Sequence, residues 1–214
     1  MQKIGIIGSG TVGETLANGF LGKGHAVKRG SRDPGKLAAW KAGAKGEAST
    51  GTFAETAAWA DVVILAVKGT GAESALAEAG PANLKGKLVL DASNPIADAP
   101  PTNGALAFFT AGDDSLIQRL QKLAPEARFV KAWNSVGAAV MIDPKTPLPP
   151  AMFICGADAG AKAEAAEILK RFGWEAIDVG GIEMGHAVEA LCIVWCAPGF
   201  LRNDWSHALA YMKV

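Results

Sequence analysis

A doubly wound α/β fold, with a parallel sheet covered by helices and followed by a helical C-terminal appendage, is predicted by three features of this 214-residue sequence. Short β-branched runs alternate with helical patterns from residue 3 to residue 131, the order that builds a parallel sheet through right-handed crossovers. One run, Asp61–Val67, is apolar at consecutive positions, as a strand buried on both faces must be. At the first junction between a strand and a helix stands Gly8-Ser9-Gly10-Thr11-Val12-Gly13.

Taken in order, Lys3–Gly8 reads as a buried strand, and Val12–Leu21 as a helix with Val12, Leu16, Gly19 and Phe20 on one face. His25–Gly30 is a second strand. Asp33 then caps a helix with Pro34 at its first position, running through Trp40. A short strand at Glu47–Ser49 and a short helix at Thr52–Trp59 lead into Asp61–Val67. Ala72–Ala79 is helical, Leu88–Ala92 a fifth strand, Ser115–Leu123 a helix and Arg128–Lys131 a sixth strand. Past the proline-rich loops Asn94–Pro101 and Asp143–Pro150, strands at Met152–Cys155 and Glu175–Val179 enclose an alanine-rich helix, Ala159–Phe172. Ile182–Trp195 and Asp204–Met212 are expected to be helical.

Composition removes several function classes. Half the residues are apolar and a fifth charged, which is ordinary for a folded globular chain and excludes disorder. Lysine plus arginine and aspartate plus glutamate both total 21, leaving no net basic field for nucleic acid or an anionic membrane. Three cysteines cannot form a disulfide framework, and Cys192 and Cys196, four apart in an apolar helical run, read as small buried hydrophobes. The N-terminus is broken by glycine too early for a signal peptide. The apolar stretch Leu191–Ala197, stopped by Pro198, falls short of the ~20 residues that span a bilayer. A cytoplasmic protein is expected.

The glycine-rich hexad is G-x-G-x-x-G in the context that gives the motif meaning, directly after a strand and opening a helix. Gly8 permits the tight turn, Gly10 lets backbone reach a pyrophosphate, and Gly13 allows close helix–strand packing. The N–H groups of Thr11 and Val12 then face the phosphate at the positive end of the helix. The tip of the second strand selects the dinucleotide. An NAD site usually places Asp or Glu about 20 residues beyond the glycines. Here the tip is Gly30-Ser31-Arg32, with Lys36 one helical turn on, which suits a 2′-phosphate. Asp33 is explained as a helix cap rather than a ribose ligand.

With Gly30-Ser31-Arg32, Asp61–Val67 and Lys131-Ala132-Trp133-Asn134 added to the hexad, residues 3–140 resemble the F420-dependent NADP reductases. They are also similar to the cytoplasmic domain of the STEAP ferric reductases. The resemblance implies a Rossmann-type domain holding NADP(H) by Ser9, Thr11, Val12, Ser31, Arg32 and Lys36, with Val67 and Lys68 along the cofactor path. It further implies that Ser93-Asn94-Pro95 and Ala132 lie by the nicotinamide. Lys28-Arg29 departs from the apolar strand usual in that family, and Trp133 replaces a more common phenylalanine. On this reading the chain divides into an NADP-binding domain, 1–180, and a helical segment, 181–214, that packs on it or on a second subunit of a homodimer.

Hydride transfer to a deazaflavin such as F420 or to a flavin needs stacked rings but no side-chain acid or base, which fits a chain with three histidines and no evident catalytic dyad. No catalytic residue and no metal site is expected, since no His, Cys and carboxylate set has ligand spacing. The K-x-x-N spacing of Lys131 and Asn134 reads as a strand end and a loop. His186, between Glu183 and Glu189, reads as part of a solvated helix face. Trp133 and Asn134, beyond a strand's carboxyl end, are expected in contact with the nicotinamide or its partner. Two alternatives remain open: an imine or carbonyl reductase resembling pyrroline-5-carboxylate reductase, which would need a positioned proton donor, and a non-catalytic NADPH-sensing module.

Overall fold

The computed structural model describes all residues 1–214. Six parallel strands form its main sheet: β1 (Lys3–Ile7), β2 (Ala26–Gly30), β3 (Ala48–Gly51), β4 (Val62–Leu65), β5 (Leu88–Asp91) and β6 (Arg128–Lys131). Their order is β3-β2-β1-β4-β5-β6. At its last residue β1 pairs with both neighbours, Ile7 lying opposite Gly30 of β2 and Leu65 of β4. The winding direction reverses between β1 and β4, so crossovers leave on opposite faces and a crevice opens at the carboxyl edge.

Seven helices surround the sheet: α1 (Thr11–Gly22), α2 (Ala38–Gly43), α3 (Phe53–Trp59), α4 (Ala72–Ala79), α5 (Leu116–Leu123), α6 (Ala159–Arg171) and α7 (Gly185–Arg202). Alternating strand side chains feed two separate cores. On one face Ile4, Ile6 and Val130 meet Leu16 and Phe20 of α1 and Leu169 of α6. On the other, Ile7, Val63 and Phe129 meet Ala57 of α3, Leu76 of α4 and Leu120 of α5. Local signals set the helix starts. Thr52 and Glu55 form a capping box on α3, while Ser115 and Asp158 cap α5 and α6. A short parallel pair, β7 (Ala151–Ile154) with β8 (Glu175–Asp178), joins the sheet through one antiparallel bridge between Lys131 and Cys155.

Three expectations are corrected. Asp33 caps a 3₁₀ turn, Pro34–Leu37, rather than an α-helix; the α-helix begins at Ala38 and runs past Trp40 to Gly43. Pro198 does not end the C-terminal helix, which continues to Arg202 and stops where Asn203 turns left-handed at φ 58°. Ile182–Arg202 is therefore long and apolar enough to cross a membrane by length and composition alone. In the fold it packs against α5 and carries the fully buried Glu189. Asp204–Met212 is not a helix. This tail lies extended, with Ala151 N–H donating to the Leu209 carbonyl and the Trp195 indole N–H donating to that of His207. The His207 ring stacks on Trp195, with centroids 5.0 Å apart. A nine-residue helix is marginal without a face to bury, and these contacts favour the extended chain.

The close approach of α3 to β1 depends on Gly5, where an added Cβ would lie 2.7 Å from the Ala60 Cβ and 3.1 Å from the Thr56 carbonyl. Gly5→Val is expected to cost about 1–3 kcal/mol through overpacking. Gly22, with nothing within 4 Å, is the opposite case, and Gly22→Ala should stabilise by about 0.4–1 kcal/mol. Urea unfolding of both variants beside the unmodified chain checks the two signs.

Candidate functional site

The glycine-rich loop closes over the crevice between β1 and β4. Gly8 has φ 145°, and a Cβ there would lie 2.1 Å from the Ala66 carbonyl, so only glycine fits. Gly13 brings α1 against the loop, its would-be Cβ 2.7 Å from the Gly8 carbonyl. Gly10 differs from both: nothing lies within 4 Å of its Cβ position, so its backbone is open to an incoming group. No side chain caps α1. Its first-turn N–H groups therefore have no side-chain acceptor, as an anion site at a helix start requires.

A cleft of about 480 Å³ extends from this loop. Of the residues singled out in the sequence, Gly8, Ser9, Gly10, Ser31, Arg32, Lys36, Val67 and Lys68 line it, and Asp33, Phe53 and Ala66 complete the wall. Thr11, Val12 and Gly13 form the first turn of α1 beside it. Ser31 is buried at the tip of β2, and its Oγ accepts from the Asp33 N–H at 3.2 Å. The Asp33 carboxylate accepts from the Gly35 N–H at 3.0 Å, which ties it into its own turn as a cap. Arg32 and Lys36 are exposed and form no ion pair, so both cations are free toward an anion. Lys68 instead pairs with Asp98.

The residues expected around a nicotinamide are gathered differently. Ser93, Asn94 and Pro95 follow β5, and Ala132, Trp133 and Asn134 follow β6, but none lines the cleft. Asn94 Nδ2 donates to the Asn134 carbonyl at 2.7 Å, and Asn134 Nδ2 donates to Asn94 Oδ1 at 3.2 Å and to the Val188 carbonyl at 2.8 Å. Asn134 thus fastens two loops to α7, and Asn94 is the half-buried member of the set. Trp133 does not form a wall of an acceptor pocket. Its backbone is left-handed at φ 58°, and its ring is 1% exposed, set edge-on to Phe20 and Phe172 at 6.3 and 5.3 Å. An indole finds more apolar surface in that core than at the sheet edge.

Sequence reasoning missed a buried ion cluster. Lys131, read as a plain strand end, is fully buried, with its Nζ 2.5 Å from Asp91 Oδ2, 2.8 Å from Glu189 Oε1 and 3.0 Å from the Ser93 carbonyl. Asp91 also accepts from the Ser93 N–H and hydroxyl. Glu189, expected on a solvated face with His186, instead points inward and accepts from the Leu116 and Ile117 N–H groups at 3.0 Å each, at the start of α5. His186 is exposed, its Nδ1 3.0 Å from the Glu183 carbonyl. The signal was a charged residue in each of three otherwise apolar runs, Leu88–Asp91, Phe129–Lys131 and Val188–Val194. Burial opposes the Lys131 charge, but the two carboxylates outweigh it and hold the ammonium above the ordinary lysine range. Nearby, burial pushes the Cys155 thiol up to about 12, leaving it unreactive. Cys192 is buried as expected; the Cys196 sulfur lies 3.9 Å from it and is half-buried.

The first-half motifs match the family described as NADP oxidoreductase, coenzyme F420-dependent, over residues 3–95. A solved structure of a candidate F420-dependent NADP reductase from Arthrobacter sp. FB24 is 32% identical, covers all of both chains and superposes with a TM-score of 0.90. Among curated relatives, the metalloreductase STEAP3 of Rattus norvegicus is 29% identical across 88% of this chain and 36% of its own length. The F420-dependent NADP reductase of Methanocaldococcus jannaschii is 30% identical across 50% of this chain and 48% of its own. The chain thus spans about a third and about half of these two proteins.

Lys131→Met would leave both carboxylates buried without their cation, at a cost of about 3–5 kcal/mol. Because Lys131 is raised in the folded state, its contribution is complete below the unfolded value of about 10.4 and is lost as pH climbs through the folded one. Urea midpoints of variant and unmodified chain should therefore differ fully at pH 8 and draw together as the pH climbs past the ordinary lysine range.

Proposed function

The chain belongs to the family of F420-dependent NADP oxidoreductases, and from that premise we propose that it binds NADP(H) over the glycine-rich loop and exchanges hydride with a planar acceptor of the deazaflavin or flavin class. The observation that carries the cofactor half is the tip of β2. There Ser31, Arg32 and Lys36 line one cleft with the glycine-rich loop, and the nearest carboxylate, Asp33, is held in its own turn.

The residues present fit this cofactor. Gly8 and Gly13 hold the loop close, Gly10 leaves room for a diphosphate, and the open N–H groups of Thr11 and Val12 give it donors. Arg32 offers a planar fork to a 2′-phosphate, Ser31 a hydroxyl and Lys36 a point charge. Val67 and Phe53 add apolar surface to the same cleft. When bound, NADP(H) supplies the hydride, and the chain's part is to orient the ring and exclude water.

Asn94, cross-tied to Asn134, gives the loop after β5 a fixed edge from which to do so. Lys131 and Asn134, two of the groups that a proton-donating imine or carbonyl reductase would draw on, are both enclosed and engaged by protein partners. That favours transfer between two flat carriers, in which no side-chain proton is needed.

The unmodified chain is expected to prefer NADPH over NADH by about 10- to 1,000-fold, since each guanidinium–phosphate hydrogen bond contributes roughly 1.5–3 kcal/mol. Arg32→Ala should weaken NADPH and leave NADH nearly unchanged, and added salt should erode the preference. Calorimetric titration measures all three, and equal affinity for the two nucleotides at low salt would refute the cofactor assignment. Loss of nicotinamide absorbance on mixing NADPH with F420 or a flavin tests the acceptor class; turnover with an imine or carbonyl alone would overturn it.

A further inference from the structure

Arg29 occupies a position on β2 where an apolar residue would suit a central strand, and its side chain is fully buried. Its Nη1 lies 3.2 Å from Glu14 Oε2, and its Nη2 donates to the Gly10 carbonyl at 3.3 Å. The guanidinium carbon is 4.9 Å from the centroid of Trp40, whose indole N–H is held by Asn18 Oδ1 at 2.9 Å. Nε has no partner. A buried cation with an unmatched donor is a costly way to fill a strand position. Its one charged partner, Glu14, is 52% exposed and so screened by water, while Arg29 is not. The result is a positive charge fixed directly beneath the glycine-rich loop.

The Gly10 carbonyl belongs to the same peptide group as the Thr11 N–H. A cation on the carbonyl oxygen, which also accepts from the Glu14 N–H at 3.0 Å, polarises that peptide and makes its N–H a stronger donor. The peptide borders open space at Gly10. We propose that Arg29 is a positioning residue for the cofactor's pyrophosphate: through the Gly10–Thr11 peptide, its buried guanidinium fixes and strengthens the phosphate-facing N–H groups of the loop. It does not touch the ligand. β2 then serves both anionic groups, the pyrophosphate from below through Arg29 and the 2′-phosphate from its tip through Ser31 and Arg32. A smaller cleft of about 360 Å³ is lined by Arg29 together with Ser9 and Lys36, two residues that also line the main cleft.

This inference rests on the NADP(H) reading, and ligand fragments separate the two. Calorimetry on the full chain uses ADP, which has the pyrophosphate and no 2′-phosphate, 2′-AMP, which has the reverse, and NADPH. Arg29→Met should weaken ADP and NADPH about tenfold, because the Gly10–Thr11 peptide loses its polarising cation and its N–H bonds the charged phosphate less strongly, and leave 2′-AMP within about twofold. Arg32→Ala should give the reverse pattern for the two fragments. If Arg29→Met does not fold by circular dichroism, Arg29→Lys, which keeps the charge and loses the fork, should still weaken ADP selectively. A variant that loses ADP and 2′-AMP equally, as general loosening of the loop would produce, overturns the role of Arg29, as does unchanged ADP affinity. An unmodified chain that binds none of the three ligands overturns the NADP(H) reading along with it.

Discussion

Lys131, Asp91 and Glu189 meet out of contact with water, and their union decides how the second half of the molecule sits on the first. Asp91 ends β5, Lys131 ends β6, and Glu189 lies on α7, about a hundred residues beyond the first. Two carboxylates against one ammonium leave an excess negative charge, which the Leu116 and Ile117 N–H groups at the start of α5 offset. The Ser93 groups complete the set. Coulomb attraction is strong in such a medium, the hydrogen bonds give it direction, and loss of any member leaves an uncompensated buried charge or donor. The loops after β5 and β6 start within one or two residues of this cluster, so their shape is inherited from it.

At the other end of the sheet, β2 carries the site. Its last residue lies against β1, and the chain emerges as Ser31 and Arg32 beside the glycine-rich loop. Setting Arg32 and Lys36 just beyond the end of an internal parallel strand, in a short turn capped by Asp33, limits the side-chain and loop entropy that binding an anion would cost. The cap formed by Asp33 serves the same end, because it ties the one carboxylate in the cleft wall to the Gly35 N–H of its own turn.

The elements that could be read from residues alone were those with local causes. The central runs β1, β4 and β5 became strands in a parallel sheet because each is apolar enough to be buried on both faces. The glycine hexad was legible because φ 145° at Gly8 and the tight contacts at Gly8 and Gly13 exclude every larger residue. The Asp33 cap followed from its position before Pro34. The places where reading residues alone failed share the opposite character. Trp133 was placed at the sheet edge by its position after β6, but a left-handed turn drops its ring edge-on against Phe20 and Phe172. The C-terminal tail was read as helical from its composition, and docking on β7 and Trp195 overrode that weak propensity.

Sequence by itself determined the strand–helix alternation, the glycine loop and the cationic strand tip, because each rests on backbone sterics or on neighbours a few residues away. Only the tertiary structure decided that Glu189 faces inward, that Lys131 is paired on two sides, and that Arg29 lies beneath the Gly10 carbonyl. Those partners are separated by 19 to 73 residues in the chain, from Gly10 and Arg29 to Leu116 and Glu189. A charge in an apolar run is compatible with exposure, pairing or strain until the fold brings its partner within 3 Å or so. Interactions of that reach are a property of the packed chain and not of any segment of it.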